Sequence, residues 1–271
     1  MLNRFGLYAL YGSKIKNMEL EIYHYAIAII GAALAGCINT LAGNGSAITL
    51  TILTEVLGLP PTVANGTNRV GIMAQTTFGS YEFVKGGKLH FKRNLRYIIP
   101  IVIGAIGGAL VAANVSNEQF RAVFKFLMVL MLFVILFKPK RWLRETDLVE
   151  QLSIVWVIPI FLGIGFYAGF IQMGMGVIFL AVMVLLAKVN ITESNAVKTV
   201  VTGLLTIFAL AIFHSKGLID WRIGGIMAIG QAAGGWATAR YASRYKQADT
   251  VAYWLLVIIV IGAVISLFFL N

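Results

Sequence analysis

Two positively charged side chains, Arg69 and Lys198, lie inside long apolar stretches of this sequence. An ionisable residue within an apolar helix is costly and typically marks a transport pathway or a charge pair. The acidic residue nearest to Lys198 is Glu193, five positions earlier, so neither cation has an obvious acidic neighbour at helical spacing. Both long side chains could instead extend to a membrane surface, and the sequence leaves that alternative open.

Amide and hydroxyl residues accompany both cations on the same helical faces. The face of Arg69 also carries Asn65, Asn68 and Thr76, with Gln75 beside it, and the face of Lys198 carries Asn195, Thr199, Thr202 and Thr206. Two cations with many neutral donors and no buried acid are typical of a site for a small oxyanion. The alternative is that these amides and hydroxyls join neighbouring helices within a membrane.

Two glycine-containing breaks interrupt the apolar pattern and resemble each other. The stretches AGCINTLAGNGSAITL (35–50) and AGFIQMGMGVIFL (168–180) share an Ala-Gly opening, an amide residue three places on and a Gly-x-Gly pair. Within hydrocarbon, irregular backbone survives only where protein or a water-filled cavity satisfies its polar groups. We therefore expect both breaks to face an interior cavity, with the next helix aiming its free N–H groups at an anion. The alternative is that the glycines only permit close packing.

The predicted substrate-binding set combines the two breaks with the two polar faces. It comprises Asn44, Gly45, Ser46, Asn65, Asn68, Arg69, Gln172, Gly174, Gly176, Asn195, Lys198, Thr199 and Thr202. No catalytic residue, metal ligand or cofactor site is predicted, because the sequence shows no HExxH motif, paired aspartates or buried Ser/His pairing. The single Cys37 excludes an intrachain disulfide and a Cys-rich metal site.

Composition indicates an all-α integral membrane protein. Of the 271 residues, 59% are hydrophobic and only 12% are charged, which is too little polar surface for a water-soluble globule. Near-continuous apolar runs exclude a transmembrane barrel. The formal charge of +11 concentrates between the apolar runs, so it indicates membrane orientation rather than nucleic-acid binding.

Ten hydrophobic segments follow one another along the chain. We predict them at 23–42, 47–59, 63–84, 97–114, 119–137, 152–172, 175–188, 193–213, 222–240 and 250–270. The second and seventh segments are too short to cross about 30 Å of hydrocarbon, so they are predicted to be half-helices. The predicted organisation is an N-terminal tail (1–21), a first membrane half (22–137), a connecting loop (138–151) and a second half (152–271).

The two halves show an internal duplication. A shift of 130 places Asn65 on Asn195 and Gly87 on Gly217. If each half crosses the membrane five times, the halves are inverted, and the basic loops at 85–96, 138–144 and 240–246 share one side. If the short segments turn back, each half crosses four times and the halves run parallel. We expect the inverted arrangement, because it places all three basic loops on the same side of the membrane.

Several of these motifs resemble one known family. Gly43-Asn44-Gly45, VANGTNRV (63–70), the Phe83 to Phe91 end of the third segment and FHSKGLIDW (213–221) are similar to the TauE/SafE family of sulfite and organosulfonate exporters. The resemblance covers about residues 22 to 270. The chain departs from the family's richer glycine run at Asn44 and Ser46.

The resemblance implies a multi-pass carrier in the bacterial inner membrane. It would move sulfite, sulfoacetate or a related small anion by secondary transport, without being an enzyme. The implied partners are the small anionic substrate and the lipid bilayer, and a homo-oligomer stays open. An anion channel would use similar half-helices, so it remains an alternative at this stage.

Overall fold

A computed structural model describes residues 21–85, 91–136, 153–189 and 191–241, together with Trp254, Ile258, Ile261 and Ile265. Within these ranges the regular elements are all helices, so the all-α prediction is confirmed. The N-terminal tail to residue 20, the whole predicted connecting loop (138–151) and most of the tenth segment lie outside the described residues.

The first nine predicted segments each correspond to a helix. In chain order these are α1 (Ile22–Ala42), α2 (Gly45–Thr51), α3 (Pro61–Lys85), α4 (Phe91–Ala112), α5 (Asn117–Leu136), α6 (Ile154–Phe170), α7 (Met175–Ala181), α8 (Ile191–Ser215) and α9 (Trp221–Tyr241). In the described part of the chain, three stretches are long and apolar enough to cross a membrane, namely Ile22–Thr40, Asn94–Ala112 and Glu193–Ser215.

The two short helices are built alike. Each has 7 residues of α-helix and then 5 residues of π-helix, Ile52–Val56 after α2 and Val182–Leu186 after α7. Each π segment ends on the same backbone bond, from Leu57 N to Ile52 O and from Ala187 N to Val182 O, both 2.9 Å long. The next residue has a positive φ in both places, 63° at Gly58 and 55° at Lys188. The two short helices therefore match in length, helix type and ending.

Two pairs of helices pack in the same direction through glycine. A Cβ atom at Gly165 of α6 would lie 2.1 Å from the Ile101 oxygen of α4, and one at Gly169 would lie 2.0 Å from the Ala105 oxygen. Helix α9 meets α1 in the same way, because Gly230 and Gly234 approach the oxygens of Ile29 and Ala33. Such close backbone contact is typical of helix pairs in membranes. In each pair, a step of four residues along one helix matches a step of four residues in the same direction along the other. Helix α4 therefore runs parallel to α6, and α1 runs parallel to α9.

Helix α3 lies between α8 and α9. It runs parallel to α9, because Gly71 faces Gln231 and Gly235 faces Gln75. It runs antiparallel to α8, because Gly79 faces Thr199 whereas Gly66 faces Phe213. Helix α6 is also antiparallel to α3, because Asn65 binds the oxygen of Phe170 whereas Arg69, further along α3, binds that of Ala168. Thus α1 and α3 point one way, and α6 and α8, which hold the matching places later in the chain, point the other way.

These directions give the helix assembly two distinct ends. The "basic end" holds the helix ends at Lys85, Phe91, Ile154, Ile191 and Tyr241, and the "opposite end" holds those at Ile22, Pro61, Ala112, Ser215 and Trp221. Lys85 and Arg240 lie in the last turns of two helices that end at the basic end. Residues 86–90 and 242–246 of the predicted basic loops lie outside the described residues, so the placement of these loops on one side stays a prediction.

The helix assembly buries a set of polar side chains within its apolar core and exposes large apolar side chains on its outer surface. Arg69, Asn68 and Thr206 are at most 1% exposed, whereas Trp156, Phe126 and Ile229 are each more than 60% exposed. Large apolar side chains on the outer surface suit a lipid environment, in which burying them gains little. The buried polar groups must then find partners within the protein or in a ligand.

Candidate functional site

A small polar cavity lies where α1, α3 and α8 meet the break between α6 and α7. Its volume is about 30 Å³, and its lining residues are Asn39, Thr40, Gly43, Gln75, Thr76, Gly79, Gln172, Met175, Gly176, Lys198, Thr199 and Thr202. A site of this size holds about two water molecules. Five of the predicted site residues line it: Gln172, Gly176, Lys198, Thr199 and Thr202.

Lys198 supplies the positive charge of the cavity. Its side chain is 5% exposed, and its Nζ donates a 2.9 Å hydrogen bond to the Asn195 Oδ1. Asn195 therefore orients the ammonium from one turn away and does not line the cavity itself. Arg69 is fully buried as well. Extension of either cation to a membrane surface does not occur in this structure.

Gln172 lines the cavity and carries a hydrogen-bond donor without a partner among the described residues. Its Oε1 accepts a 2.7 Å hydrogen bond from the Arg69 Nη1, which fixes the orientation of the amide. Its Nε2 is buried and has no partner among the described residues. Because the oxygen is occupied, the nitrogen is the atom of this amide that is left to bind a ligand.

Arg69 lies behind Gln172 and does not line the cavity. Its Nη1 and Nη2 donate hydrogen bonds of 2.9 and 3.0 Å to the oxygens of Ala168 and Gly169 in the last turn of α6. The ring of Phe213 lies 5.8 Å from the guanidinium carbon. A cation at this place complements the negative end of the α6 dipole. The guanidinium therefore holds the break of α6 against α3.

Asn65 and Asn68 occupy the same buried layer as Arg69. The Asn65 Nδ2 donates to the oxygen of Phe170, at the end of α6, over 2.9 Å. The Asn68 Oδ1 accepts a 2.6 Å bond from the Thr49 hydroxyl of α2. Both amides thus connect α3 to a neighbouring broken helix. Neither lines the cavity.

The two helix breaks touch each other. The Gly176 amide donates a 3.2 Å hydrogen bond to the Gly43 oxygen, and a Cβ on either glycine would lie 2.5 Å from the Cα of the other. Gly45 packs against the Ala35 oxygen in the same close manner. Glycine at these three positions permits backbone contact, in agreement with the close-packing alternative.

The remaining predicted residues lie beside that contact, outside the cavity wall. Gly174, with φ 71°, is the residue before α7, and Ser46 is buried in the first turn of α2. Asn44 is 0% exposed, and neither amide atom has a hydrogen-bond partner within the described ranges. An unsatisfied buried amide costs on the order of 1–3 kcal/mol. Asn44 is therefore a group whose partner the described residues do not supply.

Sequence reasoning missed part of the cavity wall. Asn39 and Thr40 of α1 line it, and Asn39 donates a 3.2 Å hydrogen bond to the Gln75 amide oxygen. A signal for Asn39 was present, because it holds the place in the first Ala-Gly motif that Gln172 holds in the second. Only Gln172 entered the predicted set.

The family model for the sulfite exporter TauE/SafE matches residues 28–267. The chain belongs to the TauE/SafE family. It is 27% identical over 229 residues to the probable membrane transporter protein ORF9 of Sinorhizobium sp., covering 83% of this chain and 85% of that protein. It is 27% identical over 218 residues to a probable membrane transporter protein of Haemophilus influenzae, covering 80% and 84% of the two chains.

A third relative is the probable membrane transporter protein YfcA of Escherichia coli K12. It is 25% identical over 236 residues, which cover 87% of this chain and 85% of YfcA. No solved structure is significantly similar to the chain. A membrane location and a role in membrane transport follow from this membership.

The described wall of the cavity in this TauE/SafE protein carries positive charge and no negative charge. Its described lining includes the Lys198 ammonium and contains no Asp or Glu. Glu193, in the first turn of the same helix, is 4% exposed and accepts a 2.9 Å hydrogen bond from the Asn94 Nδ2. A buried carboxylate therefore does lie within α8, five residues from Lys198, but outside the cavity wall. A cation and hydrogen-bond donors in a wall without a described acidic residue favour an anionic ligand.

Proposed function

We propose that this protein is a secondary-active carrier of small oxyanions, with sulfite or an organosulfonate such as sulfoacetate as its substrate. The observation that carries the proposal is the Lys198 ammonium, which lines a buried cavity without an acidic residue in the described wall. An uncompensated buried charge is costly. A bound anion removes that cost.

The donors around Lys198 suit an oxyanion. The ammonium has three N–H groups, of which Asn195 accepts one. The Gln172 nitrogen adds a further donor that has no partner among the described residues. The space for about two water molecules favours the compact sulfite ion over a longer organosulfonate in this conformation.

We further propose that the two halves are inverted duplicates that alternate access to the cavity. The matching half-helices α2 and α7 and the opposed directions of α1 and α6 support this arrangement. In carriers of this type, substrate sites lie at the repeat interface beside discontinuous helices. Lysines and arginines near the basic end support a cytoplasmic location for it, with the chain crossing the bacterial inner membrane several times.

Binding of candidate anions to purified protein tests the substrate class. We expect sulfite to raise the melting temperature in a concentration-dependent manner, because a ligand that prefers the folded state stabilises it. Chloride at matched ionic strength is the control and should give no comparable shift. Equal shifts with chloride and sulfite would contradict an oxyanion site.

Exchange in liposomes tests the carrier mechanism. A carrier takes up labelled substrate faster when unlabelled substrate is present inside, whereas a channel shows no such acceleration. We expect acceleration by internal sulfite. Its absence, together with substrate-dependent flux, would favour the anion channel and reject alternating access.

A further inference from the structure

We propose that a groove on the outer surface, between the C-terminal parts of α3 and α9, binds an anionic phospholipid. An acyl chain occupies the groove, and the lipid phosphate lies between Lys85 and Arg240 at the basic end. The inference goes beyond the proposed carrier function, because this site is on the exposed surface of the helix assembly and not in its buried cavity.

The groove itself is apolar. It is lined by Phe78 of α3 and by Ala232, Ala233 and Trp236 of α9, and its volume is about 240 Å³. The two alanines leave space between the larger rings of Phe78 and Trp236. Phe78 is 52% exposed, so the groove is open to the surroundings of the protein. A hydrocarbon chain fills such a space through van der Waals contact, which is the main attraction between apolar surfaces in a membrane.

Both helices carry the same spacing of side chains beside the groove. Each has an apolar residue, an aromatic residue three positions later and a cation four positions after that, namely Phe78, Tyr81 and Lys85 on α3 and Ala233, Trp236 and Arg240 on α9. Residues at these intervals share one face of a helix. Because α3 and α9 run parallel, both cations lie at the same end of the groove.

Each cation folds back toward the groove over an aromatic ring. The Lys85 Nζ lies 5.8 Å from the centroid of the Tyr81 ring, and the Arg240 Cζ lies 5.3 Å from that of the Trp236 ring. In both pairs the ring is one helical turn before the cation. The attraction between cation and ring therefore holds both positive charges near the end of the apolar groove.

The two cations lie close enough to contact one headgroup. The contact of Gly71 with Gln231 sets the register of the two helices, and it places Arg240 level with residue 80 of α3. Lys85 is five residues further along α3, which is about 8 Å. Since its side chain returns over the ring at position 81, its ammonium lies nearer to the level of Arg240.

The charge of the adjoining sequence favours an anionic lipid over a zwitterionic one. Residues 85–96 include five Lys or Arg and residues 240–246 include three, and neither range contains Asp or Glu. Basic pockets between transmembrane helices bind anionic lipid headgroups. The apolar groove beside the cations favours a phospholipid over a free phosphate, which has no chain to place there.

Native mass spectrometry of the full-length protein in detergent tests the lipid site. Binding of phosphatidylglycerol is compared with binding of phosphatidylcholine that has the same acyl chains. Lys85→Gln and Arg240→Gln each remove one cation from the site. Arg222→Gln is the matched control, because Arg222 lies 5.6 Å from the Tyr25 ring at the opposite end.

We expect wild-type protein to bind phosphatidylglycerol at least about fivefold more tightly than phosphatidylcholine. Each of the two variants should weaken the binding of phosphatidylglycerol about fivefold, whereas the control should change neither lipid. Equal affinities of wild-type protein for the two lipids would mean surrounding lipid only and would overturn the proposal. Equal losses in Arg240→Gln and Arg222→Gln would overturn it too, because they indicate general attraction of anions.

Ala233→Trp tests whether the groove holds the acyl chain. The position is exposed, so the larger side chain fills the groove without entering the core. We expect the preference for phosphatidylglycerol to disappear while the mass of the protein particle stays the same. If this variant instead dissociates a dimer and leaves lipid binding unaltered, a second copy of the chain covers the groove, and the proposal is wrong. Both measurements are made without a transported anion, so a failure of sulfite binding rejects only the proposed function.

Discussion

The Arg69 Nη1 donates a 2.7 Å hydrogen bond to the Gln172 Oε1, across 103 positions of sequence. This contact sets which atom of the Gln172 amide remains for the cavity. Because the oxygen is held, the nitrogen is left as a donor, and the wall gains a group that favours acceptors such as oxyanions. The charge of Arg69 thus acts on the cavity through Gln172.

Gln172→Glu should separate folding from anion binding. The carboxylate keeps an oxygen for Arg69 and gains an ion pair, so the ligand-free protein should melt at the same or a higher temperature. Its second oxygen replaces the donor with a negative charge beside the Lys198 cavity. We expect stabilisation by sulfite to disappear. Stabilisation equal to that of the wild type would show that the Gln172 nitrogen does not bind the anion.

Arg69→Lys should destabilise the protein although the charge is kept. An ammonium cannot reproduce the planar contacts of the guanidinium with Ala168, Gly169 and Gln172. We expect a loss on the order of 2–3 kcal/mol, measured as a lower melting temperature in detergent. Arg222→Lys, at an exposed site, is the matched control and should cost about 1 kcal/mol or less. Equal losses would contradict the structural role of Arg69.

Gly165→Ala should weaken the pairing of α4 with α6. The added Cβ would lie 2.1 Å from the backbone oxygen of Ile101, which cannot move aside as a side-chain tip would. Gly163→Ala, on the same helix, meets nothing within 4 Å and is the control. Because alanine favours helix over glycine by about 1 kcal/mol, the control should hold or raise the melting temperature. Similar losses in both variants would contradict this helix contact.

The sequence identified residues of the site better than it predicted their spatial arrangement. Polar and glycine residues contrast with an apolar background, so the breaks and the faces of Arg69 and Lys198 were visible. Two of the partners of Arg69 were not, because they are backbone carbonyl oxygens about 100 residues away, and any residue type carries such a carbonyl. Only the three-dimensional packing of α6 on α3 separates Lys198, in the cavity wall, from Arg69, behind it.

The helix order was predictable for a related reason. Long apolar runs must become helices in a membrane, since only helices satisfy their own backbone there. The exact composition of the short segments was not predictable, because the π-helical turns at Ile52–Val56 and Val182–Leu186 depend on local packing. Asn39 was not predicted, because its place in the first Ala-Gly motif does not show that its amide lies at the cavity wall.

The two ends of the helix assembly should face different compartments. Single cysteines at Lys85 and Arg240, both at the basic end, should react with an impermeant reagent from the cytoplasmic face of oriented vesicles. Cysteines at Ser215 and Asn114, at the opposite end, should react from the other face. Reaction of Lys85→Cys and Arg240→Cys from different faces would contradict the helix directions described above.

The affinity of purified Lys198→Gln for sulfite tests the central claim most directly. If Lys198 binds the substrate charge, its removal should raise the dissociation constant for sulfite at least about thirtyfold, because a desolvated charge interaction is lost. Lys198→Arg, which keeps the charge, should lose less. The ligand-free melting temperature should not fall, since a buried charge without an acidic partner in the described wall is removed. Unaltered sulfite affinity in folded Lys198→Gln would contradict the account.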